Sequence, residues 1–301
     1  MTIDKKFQNG TEGNKNILLL KFTAFKTVLS IHYKYCILHW HNYIKLCSVM
    51  LGNTYIISDL HLSADKPKSF ELFQNFIDFI CQDKQCHKLY ILGDFFNYWI
   101  GDDDLNDFNL KVINQLQKLK PFDIKLYFMH GNRDFLIGRK FSKITGAKIL
   151  KDPHYIEYHN KDIILSHGDT LCTDDKGYQI FRIFARAKIP QLIYLSLTLN
   201  YRRKLAYKLR NKSKNKGQRL TIQVDVTEKG VRRFKSDRTI LIHGHTHKMA
   251  IHKDGKFVRA VLSDWHDEGS YILIAPKNID LHVWPHCQQK KSIYTLKQLK
   301  H

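Results

Sequence analysis

The sequence predicts an α/β protein in which polar residues gather at the ends of parallel strands. Four short apolar runs are each followed within one to three residues by a polar candidate residue, and these residues are Asp59, Asp94, Asn132 and His167. They follow one another at intervals of 35, 38 and 35 residues, and roughly 30 residues or more is the length of one strand–helix–strand unit. Because ligands bind at the carboxyl ends of strands in open α/β sheets, we expect these side chains to share one site.

Apolar periodicity places the individual elements along the chain. Short apolar runs predict strands, and apolar residues at helical spacing predict helices. The strands leading to polar residues are 54–58, 89–92, 124–129, 162–166 and 239–242. Further strands, which we expect to close a second sheet, are 257–262, 271–275 and 280–284. The helices between the first strands are 70–81 and 109–119.

The stretch 172–238 interrupts this alternation and predicts a helical cap inserted over the strand ends. Pro190 separates its first two helices, and 213–217 is expected to be a flexible polar link. The predicted cap helices are 178–187, 191–209 and about 220–234.

The net charge of +21 favours an anionic partner, which could be a nucleic acid, a phosphorylated substrate or a membrane surface. Residues 176–240 carry 18 Lys and Arg against 3 Asp and Glu, and residues 1–49 carry 7 Lys against 2 acids. A protein that coats nucleic acid uniformly would not concentrate its charge in this way. No run reaches 18 apolar residues, so the sequence predicts no transmembrane helix.

The first 49 residues differ from the rest of the chain. Their apolar run, 17–20, is too short for a signal-peptide core, and Met50 stands just before the first strand. We expect one domain over 50–301, preceded by a dispensable or disordered extension, 1–49. The alternative is that this extension is a targeting or membrane-contacting arm.

The polar residues at the strand ends are expected to form the donor set of a metal centre with two ions. Carboxylate, amide and imidazole donors without thiolate suit Mn²⁺, Fe²⁺ or Zn²⁺. Seven donors are too many for one ordinary site and match two ions about 4 Å apart that share a carboxylate. Asp94 is the expected bridge because it follows the second strand. The seven residues are Asp59, His61, Asp94, Asn132, His167, His245 and His247.

These motifs resemble those of the calcineurin-like metallophosphoesterases over about residues 54–285. The matching motifs are Asp-x-His at 59–61, Gly-Asp at 93–94, Gly-Asn-x-Asp at 131–134, His167 and Gly-His-Thr-His at 244–247. The resemblance implies a four-layer αββα sandwich and two-metal hydrolysis of a phosphoester or phosphoanhydride. It implies that one ion is held by Asp59, His61, Asp94 and His247. It implies that the other is held by Asp94, Asn132, His167 and His245.

Arg133 departs from many members of that superfamily, which carry a histidine after the asparagine as a general acid. An arginine keeps its proton at working pH, but it can bind phosphate and neutralise charge in the transition state. The leaving group should therefore need little protonation. This favours cleavage of a pyrophosphate over cleavage of an alkyl phosphate.

Longer stretches are similar to the UDP-2,3-diacylglucosamine diphosphatases. That family hydrolyses UDP-2,3-diacylglucosamine to UMP and 2,3-diacylglucosamine 1-phosphate (lipid X) in lipid A biosynthesis. The resemblance implies an enzyme with two Mn²⁺ ions that activate water for attack on the α phosphorus. It also implies a peripheral protein at the cytoplasmic face of the inner membrane, facing an anionic surface. The similar stretches are 92–96, 99–103, 130–136, 167–175 and 265–270.

The resemblance also implies a set of substrate contacts. Among them, Asn132, Arg133 and His245 are expected to take part in catalysis, whereas Asp134 and Asp169 are expected to orient metal ligands. The expected substrate-binding residues are Asn132, Arg133, Asp175, Ser213, Arg219 and His245.

The cap supplies candidates for contact with the two acyl chains and with the membrane. Ordinary helix packing and a solvated basic face are the alternatives. The apolar candidates are Phe181, Phe184, Ile189, Leu192, Ile193, Tyr194, Leu195, Leu197 and Leu199. The basic candidates for anionic headgroups are Arg202, Arg203, Lys204, Lys208, Arg210, Lys212 and Lys214.

Two other classes of function compete with this hypothesis. A nuclease or phosphodiesterase on the same fold would use the basic cap to hold nucleic acid, but Arg133 in place of a histidine counts against it, and we expect no nucleic-acid partner. A non-catalytic scaffold predicts broken ligand motifs, whereas all seven candidate residues are present.

Overall fold

Two β-sheets lie face to face and carry helices on their outer sides in the computed structural model of the chain. It describes residues 52–219 and 225–296, without the side chains of 210–219, so the predicted extension 1–49 lies outside the described residues. The strands are β1 (Asn53–Ile57), β2 (Cys86–Ile91), β3 (Lys125–Met129), β4 (Lys148–Leu150), β5 (His154–Tyr158), β6 (Lys161–Ser166), β7 (Thr239–His243), β8 (Ala250–Asp254), β9 (Phe257–Val261), β10 (Gly269–Ile274), β11 (Asn278–Trp284) and β12 (Lys290–Thr295). The α-helices are α1 (Pro67–Gln82), α2 (Asp107–Gln117), α3 (Arg139–Thr145), α4 (Lys176–Arg186), α5 (Lys188–Ser196), α6 (Leu199–Arg219) and α7 (Glu228–Arg232).

Each sheet contains a block of adjacent parallel strands. The first sheet has the order β12–β11–β10–β1–β2–β3–β4, in which β1 to β4 run parallel. The second has the order β5–β6–β7–β9–β8, in which β6, β7 and β9 run parallel. Parallel strands are normally buried on both faces, and the polar residues of interest follow the last residues of β1, β2, β3, β6 and β7.

Three apolar cores join the layers. One lies between the first sheet and helices α1 to α3, where Phe76 is fully buried. The second lies between the sheets and contains Ile56 from one sheet and Ile242 from the other. The third covers the outer face of the second sheet, where Leu241 packs with Val231 of α7. The predicted four-layer αββα sandwich is confirmed.

The strands that lead to the polar residues are present, as are α1 and α2 between them. The assignment of the C-terminal strands to a second sheet was correct only for β9, which pairs with β7. Strands β10 and β11 instead join β1 in the first sheet. Sheet membership depends on pairing between distant segments, and an apolar run fits either core. The shorter or more polar strands β4, β5, β8 and β12 were not predicted.

The cap is helical, but its breaks differ from those predicted. The predicted helix 191–209 is two helices, because Leu197 is extended with φ −71° and ψ 153°. The predicted link at 213–217 is instead part of α6, since lysine is an adequate helix former. No helix among the described residues is long and apolar enough to span a membrane.

Residues 220–224 of the last predicted cap helix, 220–234, lie outside the described residues, and in the described part, 225–234, only the five residues of α7 form an α-helix. Residues 225–227 before it are not helical. The Thr227 hydroxyl accepts a hydrogen bond from the Gly230 backbone N–H at 3.0 Å. Such a cap satisfies a free donor of the first turn and fixes the start of the helix there.

Arg202 anchors the start of α6 to the loop after β2. Its side chain is 2% exposed. It donates to the carbonyl oxygens of Ile100 at 2.6 Å and Leu197 at 3.0 Å, and it forms an ion pair with Asp103. The prediction that Arg202 faces anionic lipid is therefore wrong, because its guanidinium is used inside the fold.

The other basic candidates of the cap differ among themselves. Arg203 pairs with the buried carboxylate of Asp104 at 2.5 Å, whereas Lys204 and Lys208 are exposed. The candidates whose side chains lie outside the described part are Arg210, Lys212 and Lys214.

We expect the substitution Arg202→Met to lower the free energy of unfolding by about 2–4 kcal/mol, measured by urea denaturation. Two carbonyl oxygens lose their donor, at about 1–3 kcal/mol each. The ion pair adds little because the Asp103 side chain is 54% exposed. The control is Lys204→Met, an exposed position on the same helix, which should change stability by no more than about 0.5 kcal/mol. A loss no larger than that of the control would contradict the anchoring role.

Candidate metal centre

Two groups of potential metal-ligand atoms lie where the parallel strands end. One consists of Asp59, His61 and His247, and the other of Asp59, Asp94 and His167. Within each group the ligand atoms lie within 4.8 Å of one another. Side chains that follow distant strands in the sequence therefore meet in space, and their role as metal ligands stays a prediction.

Nitrogen and oxygen lone pairs face each other in the first group. The Nε2 atoms of His61 and His247 are 3.1 Å apart, and His247 Nε2 is 3.4 Å from Asp59 Oδ1. That oxygen has no hydrogen-bond partner among the described residues. Ligands bound at right angles about 2.1 Å from one ion lie about 3 Å apart. The spacing of these atoms therefore fits a shared cation.

Asn132 brings two further histidines together. Its Oδ1 atom is 3.0 Å from His167 Nε2 and 3.0 Å from His245 Nδ1. The Nδ1–H of His167 donates to the carbonyl oxygen of Leu92 at 2.8 Å. In a neutral ring the lone pair on His167 Nε2 then faces the amide oxygen, so a proton or a cation is needed between them.

Asp94 belongs to the second group and also faces His61 of the first. Its Oδ1 is 3.7 Å from His167 Nε2, and its Oδ2 is 3.9 Å from His61 Nδ1. Burial would lower the pKa of His167, but the charges of Asp94 and Asp59 outweigh it and raise this pKa to about 9. A proton on His167 thus balances the buried carboxylates, and a divalent cation can take its place. Asp59 belongs to both groups, so it is a second candidate bridge beside Asp94.

The carboxylate of Asp59 is held by its neighbours. Its Oδ2 accepts hydrogen bonds from the Ser58 hydroxyl at 2.6 Å and the His245 backbone N–H at 2.8 Å. A Cβ atom at Gly244 would lie 2.0 Å from the same oxygen, so only glycine fits there. Burial would raise the pKa of Asp59, but the close approach of His247 and the charges of nearby histidines hold it below its usual range. Asp59 therefore stays ionised.

Arg133 and Asp134 complete the loop after β3. The Arg133 backbone N–H donates to Asp94 Oδ1 at 2.9 Å, and its guanidinium Nε lies 3.2 Å from Asp94 Oδ2. The buried Asp134 accepts from the backbone N–H groups of Gly131 and Phe95, both at 2.8 Å. Burial and the charge of Asp94 raise the pKa of Asp134 to about 7. Asp134 thus ties two ligand-bearing loops together.

Five of the seven ligand candidates have left-handed backbone conformations. Non-glycine residues adopt them rarely and at a cost of about 1–3 kcal/mol, mainly at functional sites. The strain therefore coincides with the edge where the donor atoms meet. The φ values are 59° at Asp59, 49° at His61, 51° at Asp94, 67° at His245 and 59° at His247.

Helix α4 of the cap contacts the site through a network that was not predicted. Asp169 Oδ2 accepts from the Tyr178 hydroxyl at 2.6 Å and from Arg182 Nε at 2.7 Å. Arg186 Nη2 donates to the carbonyl oxygen of Gly131 at 2.8 Å. The three cap residues recur at every fourth position and so share a helix face. That spacing is a signal from which they could have been found.

Two other neighbours of the ligands carried no signal in the sequence. Asp264 Oδ2 lies 3.5 Å from His247 Nδ1, and Asp152 Oδ2 accepts from the His167 backbone N–H at 3.3 Å. Neither carboxylate belongs to a recurring motif, and only the folded structure places them here.

The predicted substrate contacts divide into three cases. Asn132, Arg133 and His245 lie at the centre just described. Asp175 caps α4, where its Oδ1 accepts from the Tyr178 backbone N–H at 3.0 Å. The side chains of Ser213 and Arg219 lie outside the described residues. All of these assignments to substrate remain predictions.

The chain is similar to proteins of one family over most of its length. Residues 52–249 match the calcineurin-like phosphoesterases. A UDP-2,3-diacylglucosamine hydrolase of Neisseria gonorrhoeae is 40% identical over 225 residues, which are 73% of this chain and 92% of that protein. One from Haemophilus influenzae is 42% identical over 228 residues, 74% of this chain and 94% of that protein. The chain belongs to the UDP-2,3-diacylglucosamine hydrolase family.

This hydrolase family lies within the metallophosphoesterases, which implies a divalent metal cofactor. The donor set fits that cofactor, because carboxylate, amide and imidazole atoms converge with an unpartnered Asp59 oxygen among them. Among solved structures, a phosphoesterase from E. coli is similar with a TM-score of 0.39 and 13% identity, over 80% of this chain and 100% of that one. The family assignment rests on the sequence relatives.

We expect Asp94→Asn to weaken Mn²⁺ binding at least about tenfold, since the Asp94 carboxylate faces histidines of both donor groups and an amide brings no charge. Metal retained after desalting, measured by elemental analysis, checks this. The matched control is Asp123→Asn, an exposed carboxylate paired with Lys125, which should retain all of its metal. Full retention by Asp94→Asn would contradict the position of Asp94 between two ions.

Proposed function

We propose that this protein is a Mn²⁺-dependent diphosphatase that hydrolyses the pyrophosphate bond of UDP-2,3-diacylglucosamine. Its products are UMP and 2,3-diacylglucosamine 1-phosphate, an intermediate of lipid A biosynthesis. The observation that carries the proposal is the pair of donor groups with Arg133 beside Asp94. They occur in a chain that aligns with hydrolases of that name over more than nine-tenths of their length. A diphosphate carries the charge that two cations and an arginine can neutralise.

The proposed centre holds two Mn²⁺ ions. Bound there, the ions would lower the pKa of a water molecule towards neutrality and neutralise charge on the phosphates. The chain contributes the fixed orientation of the donors, such as the His167 ring that Leu92 holds with Nε2 facing the site. One ion would be held by Asp59, His61, Asp94 and His247. The other would be held by Asp94, Asn132, His167 and His245.

Arg133 is suited to binding the phosphate rather than to proton transfer. Its side chain is 35% exposed beside Asp94, while the hydrogen bond from its backbone N–H fixes the loop. The guanidinium can turn towards a phosphate oxygen and stabilise the charge that develops there. Since the leaving group is itself a phosphate, it departs without needing a proton from the protein.

We propose that His245 and Asn132 act at the same phosphate as Arg133. Burial and the charge of His167 lower the pKa of His245 to about 4, so its ring is neutral near pH 7. A neutral imidazole can offer a lone pair to a cation, and the amide of Asn132 supplies an oxygen 3.0 Å away. We propose that Asp175, Ser213 and Arg219 also contact the substrate.

We place the attack at the phosphorus nearer to uridine. The water oxygen forms a bond to that phosphorus, and the bond from the same phosphorus to the bridging oxygen breaks. The bridging oxygen leaves with 2,3-diacylglucosamine 1-phosphate, and the proton of the water passes to solvent.

The cap exposes an apolar surface that suits the acyl chains and the membrane. An exposed apolar patch of this kind is uncommon unless it meets an apolar partner. We infer that the acyl chains and the anionic cytoplasmic face of the inner membrane cover it, with the exposed Lys204 and Lys208 near the headgroups. Six side chains on α4 and α5 are 63–73% exposed: Ile180, Ile183, Phe184, Ile189, Leu192 and Ile193.

In ¹⁸O-labelled water with Mn²⁺, we expect the protein to release UMP that carries the label, detected by mass spectrometry. Chelation with EDTA should abolish the release. Label in the lipid phosphate would show that water attacks the other phosphorus. A parallel incubation with single- and double-stranded nucleic acids tests the competing nuclease function. Cleavage of these without release of UMP would overturn the proposal.

We expect the double substitution Leu192→Ser, Ile193→Ser to weaken binding to vesicles containing phosphatidylglycerol by about 100-fold. Two buried side chains at about 1.5 kcal/mol each account for this change. Co-sedimentation measures it, and Mn²⁺ binding should be unchanged. The control is Phe122→Ser, an apolar side chain exposed on another part of the surface. Equal vesicle binding by the double variant and the control would exclude α5 as the membrane contact.

A further inference from the structure

His243 is a buried polar residue at the end of an apolar strand. All five residues of β7 are buried, and His243 is 0% exposed. A buried imidazole costs free energy unless its nitrogens are hydrogen-bonded. Neither the donor groups nor the proposed substrate contacts include this residue. Its presence two positions before His245 suggests a role in holding the ligands.

Arg259 determines which nitrogen of His243 carries the proton. The Arg259 Nη1 atom lies 3.2 Å from His243 Nε2. A guanidinium can only donate, so Nε2 must accept and the proton must reside on Nδ1. That Nδ1 atom lies 2.9 Å from the carbonyl oxygen of Gly244, to which it donates.

The register of the second sheet places the two side chains together. Arg259 of β9 is paired with Leu241 of β7. Since alternate residues of a strand share a face, Arg259, Leu241 and His243 all point to the outer face of the sheet. On that side Arg259 lines two surface clefts of about 140 and 200 Å³, where water can solvate the rest of its charge.

The Gly244 carbonyl is the centre of the turn that carries two ligand candidates. It also accepts from the Thr246 backbone N–H at 2.8 Å, and the Gly244 N–H donates to the carbonyl oxygen of His167 at 3.0 Å. Within and after this turn, His245 has φ 67° and His247 has φ 59°. Non-glycine residues keep such conformations only where the surroundings enforce them. The hydrogen bond from His243 is one of these enforcing contacts.

Gly168 leaves the space that this hydrogen bond needs. Its φ is +114°, and a Cβ atom there would lie 3.0 Å from His243 Nδ1 and 2.9 Å from the Gly244 oxygen. A side chain at this position would therefore push the two atoms apart. Gly168, in the His-Gly-Asp motif, is therefore needed for the hydrogen bond from His243 to Gly244 as well as for its own turn.

We propose that Arg259 is a positioning residue for the metal centre. By fixing the tautomer of His243 it holds the Gly244 carbonyl, and the turn so held aims His245 and His247 at the ions. The inference rests on the proposed metal role of those two histidines. Arg259 acts through His243 and is not itself a ligand.

The contacts from Arg259 through His243 to the Gly244 carbonyl are tested first by nitrogen NMR of the EDTA-treated protein labelled with ¹⁵N-histidine. The His243 signals are identified by their loss in His243→Gln. We expect the Nδ1–H tautomer in the native protein and a loss of this single tautomer in Arg259→Met. The Nε2–H tautomer in the native protein would overturn the proposal, because Arg259 could not then donate to it. Simple packing of the arginine would leave the tautomer unchanged.

The consequence for the centre is tested by titrating Mn²⁺ and measuring the free ion by electron paramagnetic resonance. We expect Arg259→Met to weaken binding by about 10–100-fold. Arg259→Lys, which keeps a donor and the charge, should stay within about threefold of the native protein. The matched control is Arg238→Met, an exposed arginine bonded to the Asn160 carbonyl, which should bind normally.

These measurements separate the inference from the proposed reaction. If the native protein binds no Mn²⁺, the metal role of the histidines fails, and the positioning role fails with it. If it binds Mn²⁺ and Arg259→Met binds equally well, only the positioning role fails. If Arg259→Met does not fold, Arg259→Lys provides the test. A loss of Mn²⁺ affinity as large as 100-fold in Arg259→Lys would also overturn the positioning role. None of these outcomes depends on release of UMP.

Discussion

The burial of ionised carboxylates is the constraint on which the rest of the site depends. An unpaired carboxylate in the protein interior costs several kcal/mol, so each one needs a donor or a cation. Backbone N–H groups donate to both oxygens of Asp134, and Tyr178 and Arg182 donate to one oxygen of Asp169. Asp59 and Asp94 are left facing histidines, and this remaining negative charge defines where a cation fits. The buried carboxylates near the described donor groups are Asp59, Asp94, Asp134 and Asp169.

The fold can support this arrangement because the donors leave rigid strands. Every residue of β7 is buried, and the core between the sheets contains side chains from both of them. The turns after the strands are short and left-handed at several ligand candidates. A strained turn persists only when the packing and hydrogen bonds around it fix its conformation. The apolar cores thus hold the polar edge in a geometry that an isolated loop could not keep.

The sequence revealed most of the candidate site because each donor follows an apolar strand. Asp59, Asp94, Asn132 and His167 could be found from their spacing alone, and the fold class followed from the same pattern. Asp264 and Arg259 could not be found in this way. They reach the site through pairing between strands, which depends on contacts between segments far apart in the chain. The wrong sheet assignment of β10 and β11 has the same physical cause.

Arg202 shows a different limit of sequence reasoning. A run of basic residues in a helix looks solvated, yet this guanidinium is buried against Ile100 and Asp103. Charge alone does not distinguish a residue that meets a partner from one that completes the fold. The distinction lies in whether carbonyl and carboxylate oxygens elsewhere in the chain need a donor.

The arginines of the cap therefore explain how an exposed apolar surface is held in place. At one end Arg182 and Arg186 bind Asp169 and the Gly131 carbonyl, and at the other Arg202 binds Asp103. Helix α5 lies between these two anchors and keeps its apolar side chains exposed. Because both anchors are attached to loops of the metallophosphoesterase domain, the apolar surface has a fixed relation to the candidate metal centre, as the proposed substrate, with an apolar and a phosphate end, requires.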